Sequence, residues 1–170
     1  MKSDYKITAK KLRELIEYDP ISGQFIWRVS RKGGGTKAGY PAGRVRAHDG
    51  YIRLGINGAR HFAHRLAWLY VYGEFPRNQI DHIDGIRHNN SIQNLREATG
   101  TQNLGNMSRP SHNSSGFKGV SWHKGAGKWR AYIKNKGRAI HLGHFDDAKL
   151  AHAAYLKAAQ SYFGSFARAN

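Results

Sequence analysis

Residues 104–115 read LGNMSRPSHNSS. The stretch is rich in Ser, Asn and Gly, holds a Pro and offers little to bury, so it ends one folded segment and begins another. A 170-residue chain is thereby cut into pieces too small for large cores. Cysteine is absent, so neither a disulfide nor a thiolate zinc site can staple these pieces. Packing must hold each of them. Hydrophobic residues make up 39% and aromatics 12% of the chain, which is enough for real cores and too much for disorder.

Charge narrows the function. Lys and Arg number 28 against 11 Asp and Glu, for a formal charge of +17. Such a balance suits nucleic acid or an anionic membrane surface. No apolar stretch approaches a membrane span, no long helix is basic on one face and apolar on the other, and the first twenty residues lack a signal-peptide core. An intracellular, polyanion-binding protein is expected. The charge is uneven: residues 1–78 hold 15 basic and 6 acidic side chains, residues 79–110 hold 3 and 3, and residues 111–170 hold 10 and 2. Basic flanks grip phosphate, while a neutral centre can keep acids for a cation.

Local signals give the elements. Thr8 can cap a short helix with Leu12, Leu15 and Ile16 on one face, ended by Asp19-Pro20. Residues 24–29 read as a strand. Residues 30–39, with Gly33, Gly34 and Gly35 among Arg31, Lys32 and Lys37, read as a basic loop that either touches phosphate or is a solvated linker. Strands are expected over 43–47 and 51–56, and Asn57-Gly58 signals a hairpin into 60–62. A helix over 64–72 stops at Gly73. A short strand over 79–82, a loop, a strand over 95–98 and a helix capped by Thr99 or Thr101 follow. After the break come strands over 117–123, 128–134 and 138–145, then a helix from Asp146 to about Phe163 with Gly164 as its stop.

The chemistry concentrates in IDHIDGIRHNNSIQNLR at residues 80–96, with Asn103 following. A carboxylate, an adjacent imidazole and several amides are what a one-metal phosphodiesterase needs. An oxygen donor holds a hard divalent cation, and a neutral imidazole takes a proton from water. Asp81 is then the cation ligand and His82 the base. Neighbours on a regular strand point to opposite faces, so the strand must end or twist at Asp84-Gly85 if both are to serve one site. An amide oxygen accepting the His82 Nδ1–H would fix its tautomer, and Asn94 is the candidate. Asn103 can complete the metal site. Asp84, Asn89 and Asn90 read as loop-shaping residues, and His61, His64 and His88 as packing or phosphate contacts.

Here the residues carry a resemblance. HRLAW at 64–68, IDHIDG at 80–85, NN at 89–90, NLR at 94–96, AT at 98–99 and QN at 102–103 resemble the HNH (His-Me finger, ββα-metal) endonucleases of phages and mobile introns. YDPISGQFIW at 18–27 and DGYIRLGINGAR at 49–60 are similar to phage members of the group. The resemblance implies that Asp81 and Asn103 bind one divalent metal ion, Mg2+ first and Mn2+ also admissible. It implies that His82 activates water, that Asn94 orients it, and that the products carry 5′-phosphate and 3′-hydroxyl ends. Asn103 stands where the family name has its last His. His64 matches a recurrent position and is assigned structure, not chemistry.

Alternation sorts the last three strands. Val120 and Trp122, then Trp129, Ala131 and Ile133, then Ile140 and Leu142 should pack on a helix through Ala148, Ala151, Tyr155, Ala158 and Tyr162. The opposite face collects Ser121, His123, Lys128, Arg130, Tyr132, Lys134 and His141, with Arg138 at the start of the third strand. Such a face is apt for a DNA major groove; its plain alternative is a solvated face whose cations guard sheet edges. KGV at 118–120, GKWRAYI at 127–133 and LGHFDDAKLAHAAY at 142–155 resemble the plant ethylene-response-factor (apetala-two type) DNA-binding domain. That resemblance implies a three-stranded antiparallel sheet packed on one helix and reading DNA through Ser121, His123, Tyr132, Lys134 and His141. The plant domains carry mostly Arg and Trp there.

The expected fold is α+β. A basic β-rich region over 1–62 leads into a ββα-metal core over 63–107, a linker over 108–115 and a separate sheet-and-helix domain over 116–166. The expected function is a metal-dependent, homing-type DNA endonuclease, phage-encoded and working in the infected bacterial cytoplasm. Its expected partner is double-stranded DNA, bound as a monomer with a dimer left open. A non-catalytic, sequence-specific DNA-binding regulator is the alternative, and an RNA-binding protein is suggested by charge alone.

Overall fold

In a computed structural model, residues 7–30 and 36–169 are described. The basic glycine segment around Arg31, Lys32 and Gly33–Gly35 lies outside them. The chain divides into two compact units, Met1–Glu97 and Ala98–Asn170.

The first unit is built on helix α1 (Ala9–Leu15), which Thr8 caps by accepting the Lys11 N–H at 3.2 Å. The helix does not run on to Asp19-Pro20. At Ile16 the backbone turns extended and becomes β1 (Ile16–Tyr18), which pairs antiparallel with β2 (Phe25–Trp27). Alternation is strict in both strands: Ile16, Tyr18, Phe25 and Trp27 are buried and their intervening residues exposed. A three-stranded antiparallel sheet follows, made of β3 (Arg44–Val45), β4 (Ile52–Ile56) and β5 (Ala59–Phe62). Asn57 and Gly58 both take positive φ, 52° and 77°, as the tight hairpin requires. Helix α2 (Ala63–Tyr72) buries Ala63, His64, Leu66, Ala67 and Leu69 and ends at Gly73 in the left-handed conformation. Strands β6 (Gln79–His82) and β7 (Leu95–Ala98) form a two-stranded sheet. The core of this unit joins Leu12, Ile16, Phe25, Leu54, Ile56 and Leu66 to Ile80 and Leu95.

The second unit opens with α3 (Gly100–Asn106), closed by a Thr99–Gln102 capping box. Sequence reasoning grouped α3 with the nuclease core; in the structure it packs on helix α4 (Ala148–Phe163) and the 3-10 turn Gly164–Phe166. Gly105 sits so close to Phe163 that a Cβ would fall 2.7 Å from the ring, and the Lys118 ammonium donates to the Gly105 carbonyl at 2.7 Å. Strands β8 (Val120–His123), β9 (Lys128–Asn135) and β10 (Arg138–Phe145) form an antiparallel sheet in the order β10-β9-β8, which packs on α4 (Ala148–Phe163). Val120, Ala131, Ile133, Ala151, Tyr155 and Ala159 are buried between them. Asp147, not Asp146, caps α4; Asp146 instead pairs with the Lys128 ammonium at 3.1 Å. Trp122, expected in this core, is 48% exposed on the edge strand β8 and meets Trp129 in a T-shaped ring contact. Among the described residues no helix is long and apolar enough to cross a membrane.

Candidate active site and nucleic-acid face

Strand β6 does not alternate: Ile80, Asp81 and His82 are all buried. Its last residue is clamped by a turn, in which the Gly85 N–H donates to the His82 carbonyl at 2.8 Å. Asp81 and His82 therefore meet different groups. The Asp81 carboxylate is 4% exposed and accepts from the Arg96 Nε at 2.9 Å. A buried carboxylate needs such a counter-charge to stay ionised.

The buried His82 ring packs against other rings. His64 meets it edge-on with centroids 5.1 Å apart, and Tyr51 lies 5.9 Å away. Its Nε2 faces the Asn90 Oδ1 at 3.3 Å. The Asn90 Nδ2 is committed to the His88 carbonyl at 3.2 Å, so the atom turned to the ring is the acceptor and Nε2 carries the proton. The lone pair is then on Nδ1. Burial pushes His82 below its usual value, as does the Arg87 charge; the Asn90 bond and the charges of Asp84 and Asp81 push back. The ring is thus neutral at physiological pH, as a general base must be.

The tautomer is the reverse of the one expected from sequence, and the orienting amide is Asn90 rather than Asn94. Asn94 serves the loop. Its Oδ1 accepts the Asp84 N–H at 3.0 Å, and its Nδ2 donates to the Asp84 Oδ1 at 3.0 Å and the Asn89 carbonyl at 2.9 Å. Asn94 sits at the end of a 3-10 turn (Ile92–Asn94), which aims its side chain across the loop. Asp84 and Asn89 are loop-shaping as expected. Burial would raise the Asp84 carboxyl, but the Ile86 N–H and the amides of Asn89 and Asn94 hold it below the usual range.

Asn90 itself is 1% exposed. The Tyr18 hydroxyl donates to its carbonyl at 2.7 Å, the Ile92 N–H donates to the Pro20 carbonyl at 2.9 Å, and Gly23 lies against the Asn90-Ser91 peptide. The β1–β2 hairpin is thus the floor of the active loop. His64 is 8% exposed, stacked on Phe62, and its Nδ1 meets no partner. Burial, then the charges of His82, Arg65 and Arg53, push it down to about 3. Sequence reasoning read Asn90 as a loop-shaping residue and missed its contact with His82, because alternation cannot flag a buried amide in a loop. The NN pair and the turn signals around it were the available clue.

Asn103 lies on α3, in the second unit. Among the described residues no three His, Cys, Asp or Glu side chains gather in a metal-holding group. Mg2+ accepts sparse protein donor sets, because it keeps waters and takes phosphate oxygens as ligands.

On the sheet of the second unit, cross-strand pairing puts Ser121 opposite Arg130, His123 opposite Lys128 and His141 opposite Tyr132. All of these lie on the face away from α4. The Arg130 guanidinium donates to the Ser121 hydroxyl at 3.3 Å and lies over the Tyr132 ring. Lys134 and Arg138 are exposed. His144 was missed from sequence: a β-bulge between His141 and Gly143 shifts the register, so His144 falls opposite Arg130 on the same face as His141.

Comparison with known proteins finds two families along the chain. Residues 61–104 match the family model described as HNH endonuclease, and residues 115–165 match the AP2 domain. Protein 3.8 of Escherichia phage T7 is 40% identical over 76 residues, which are 44% of this chain and 63% of the phage protein. An uncharacterized HNH endonuclease of Acanthamoeba polyphaga mimivirus is 29% identical over 154 residues, 89% of this chain and 70% of that protein. An AP2-like ethylene-responsive transcription factor of Arabidopsis thaliana is 36% identical over 55 residues, 32% of this chain and 11% of the plant protein. The chain therefore spans under two thirds of the phage protein and about a tenth of the plant factor it matches. No solved structure matches.

Proposed function

We propose that this chain, an HNH endonuclease segment joined to an AP2 domain, is a metal-dependent endonuclease that hydrolyses double-stranded DNA. The observation that carries the proposal is the buried, neutral His82, locked as the Nε2–H tautomer by Asn90 next to the Asp81 carboxylate. Its Nδ1 takes the proton of the attacking water, and Asn90 stabilises the imidazolium that results. Asp81 would hold the divalent cation, and the family resemblance adds Asn103. When bound, the ion would supply charge stabilisation at the scissile phosphate and the leaving 3′ oxygen. Arg96 pairs with Asp81. Asn94 and Asp84 fix the loop that carries Asn90. The AP2 sheet and the basic flanks grip the duplex. One site per chain makes nicking the default outcome. A phage-encoded, homing-type role in an infected bacterium fits the phage relative.

The test is supercoiled plasmid with Mg2+ or with chelator. Nicked product with 5′-phosphate and 3′-hydroxyl ends is expected only with the metal. His82→Ala should lower the cleavage rate by about 10³-fold, in the range a lost general base produces, while gel-shift affinity stays within a factor of about two. A variant that cleaves at full rate overturns the assignment. The AP2 match favours a second reading, a regulator that binds without cutting; an intact plasmid under every metal tried would favour it.

A further inference from the structure

The bulge in β10 brings three imidazoles together on the outer face of the AP2 sheet. In a regular strand, residues three apart face opposite ways; the extra residue puts His141 and His144 side by side, with ring centroids 4.6 Å apart. His123, from the far strand of the same sheet, reaches across to His144 at 4.9 Å. The His123 Nδ1 accepts the Ala126 N–H at 3.1 Å, so its Nε2 bears the proton and is turned to solvent as a donor. His141 and His144 are exposed and His123 partly so.

Among the described residues no trio of His, Cys, Asp or Glu is arranged to hold a metal, this one included. Its neighbours are cationic. Lys128, Arg130 and Lys134 share its face from β9, with Tyr132 on the same strand and Ser121 on β8. The nearest carboxylate, Asp146, is engaged by Lys128. Burial and the neighbouring charges, His141 and His123 first, hold His144 below its usual value in the free protein. A phosphate arriving on this face reverses that balance.

We propose that His141 and His144, beside the Nε2–H of His123, form one proton-accepting contact for a backbone phosphate of DNA, so that duplex binding draws protons onto the sheet and tightens as the pH falls. This rests on the DNA-binding reading above. Each proton taken up at half-site steepens affinity toward tenfold per pH unit.

The experiment titrates the full-length protein against a labelled mixed-sequence duplex, in chelator to prevent cleavage, at constant ionic strength. Between pH 8 and pH 6, where unperturbed imidazoles titrate, affinity should rise about tenfold or more, with net proton uptake in buffers of differing ionisation enthalpy. H123Q/H141Q/H144Q should flatten the dependence to about twofold. H141Q/H144Q, which keeps the His123 bond to Ala126, should remove most of it; circular dichroism checks that both variants fold. A pH-independent wild type, or variants as pH-dependent as wild type, overturns the proposal while leaving DNA binding intact. Absence of binding at every pH removes the DNA-binding reading and this proposal together.

Discussion

His82 and His64 show how one residue type does two jobs under the same burial. His82 has Asn90, Asp84 and Asp81 to offset desolvation; His64 has none of these and is pushed down to about 3. The sign of the pH effect follows. In the unfolded chain His64 protonates near its ordinary value of 6.5, while in the folded chain it resists until about 3. Stability is therefore complete above pH 6.5 and is lost as the pH falls toward 3, by an amount on the order of a few kcal/mol. Chemical denaturation at pH 7 and pH 4.5 checks this: the midpoint of the wild type should fall at acid pH, and His64→Leu should cancel much of that fall.

At the scale of elements, the β1–β2 turn decides whether the active loop holds its shape. Gly23 has φ 73°, and a Cβ there would come within 2.4 Å of the Asn90 and Ser91 backbone. No flexible side chain can yield. Gly23→Ala should destabilise the first unit by about 2 kcal/mol or more and lower the cleavage rate by displacing Asn90 from His82; thermal melts and plasmid nicking measure the two effects. Much of this architecture was legible in the chain. Thr8, Asn57-Gly58, Gly73 and Gly164 mark their turns and caps because each acts locally. The pairing of Asp81 with Arg96, the Asn90 amide on His82 and the bulge beside Leu142 were not legible, because each depends on a partner brought in by tertiary packing. The bulge alone hid His144, since face assignment by alternation assumes that no residue is unpaired.

For the whole molecule, the matched nuclease segment and the working nuclease differ in extent. The family match starts at residue 61, but the folded core that the proposed nuclease needs beneath Ile80 and Leu95 is completed by Leu12, Ile16 and Phe25. A chain starting at residue 31 should express poorly or as an unfolded product, and should show no cleavage at protein concentrations where the full chain nicks plasmid to completion. The charge of +17 acts at the same scale. DNA affinity should fall linearly on a log–log plot against salt, losing about 10³-fold between 50 and 200 mM if six or more phosphates are contacted. A flat salt response would remove the basic flanks from the binding account.

The Tyr18 hydroxyl that seats on the Asn90 carbonyl has a bearing on transplantation. An engineer who lifts residues 61–104 into a foreign scaffold carries the catalytic letters and leaves their anvil behind. A successful chimera must import the phenol and the glycine corner with them, or rebuild an equivalent brace.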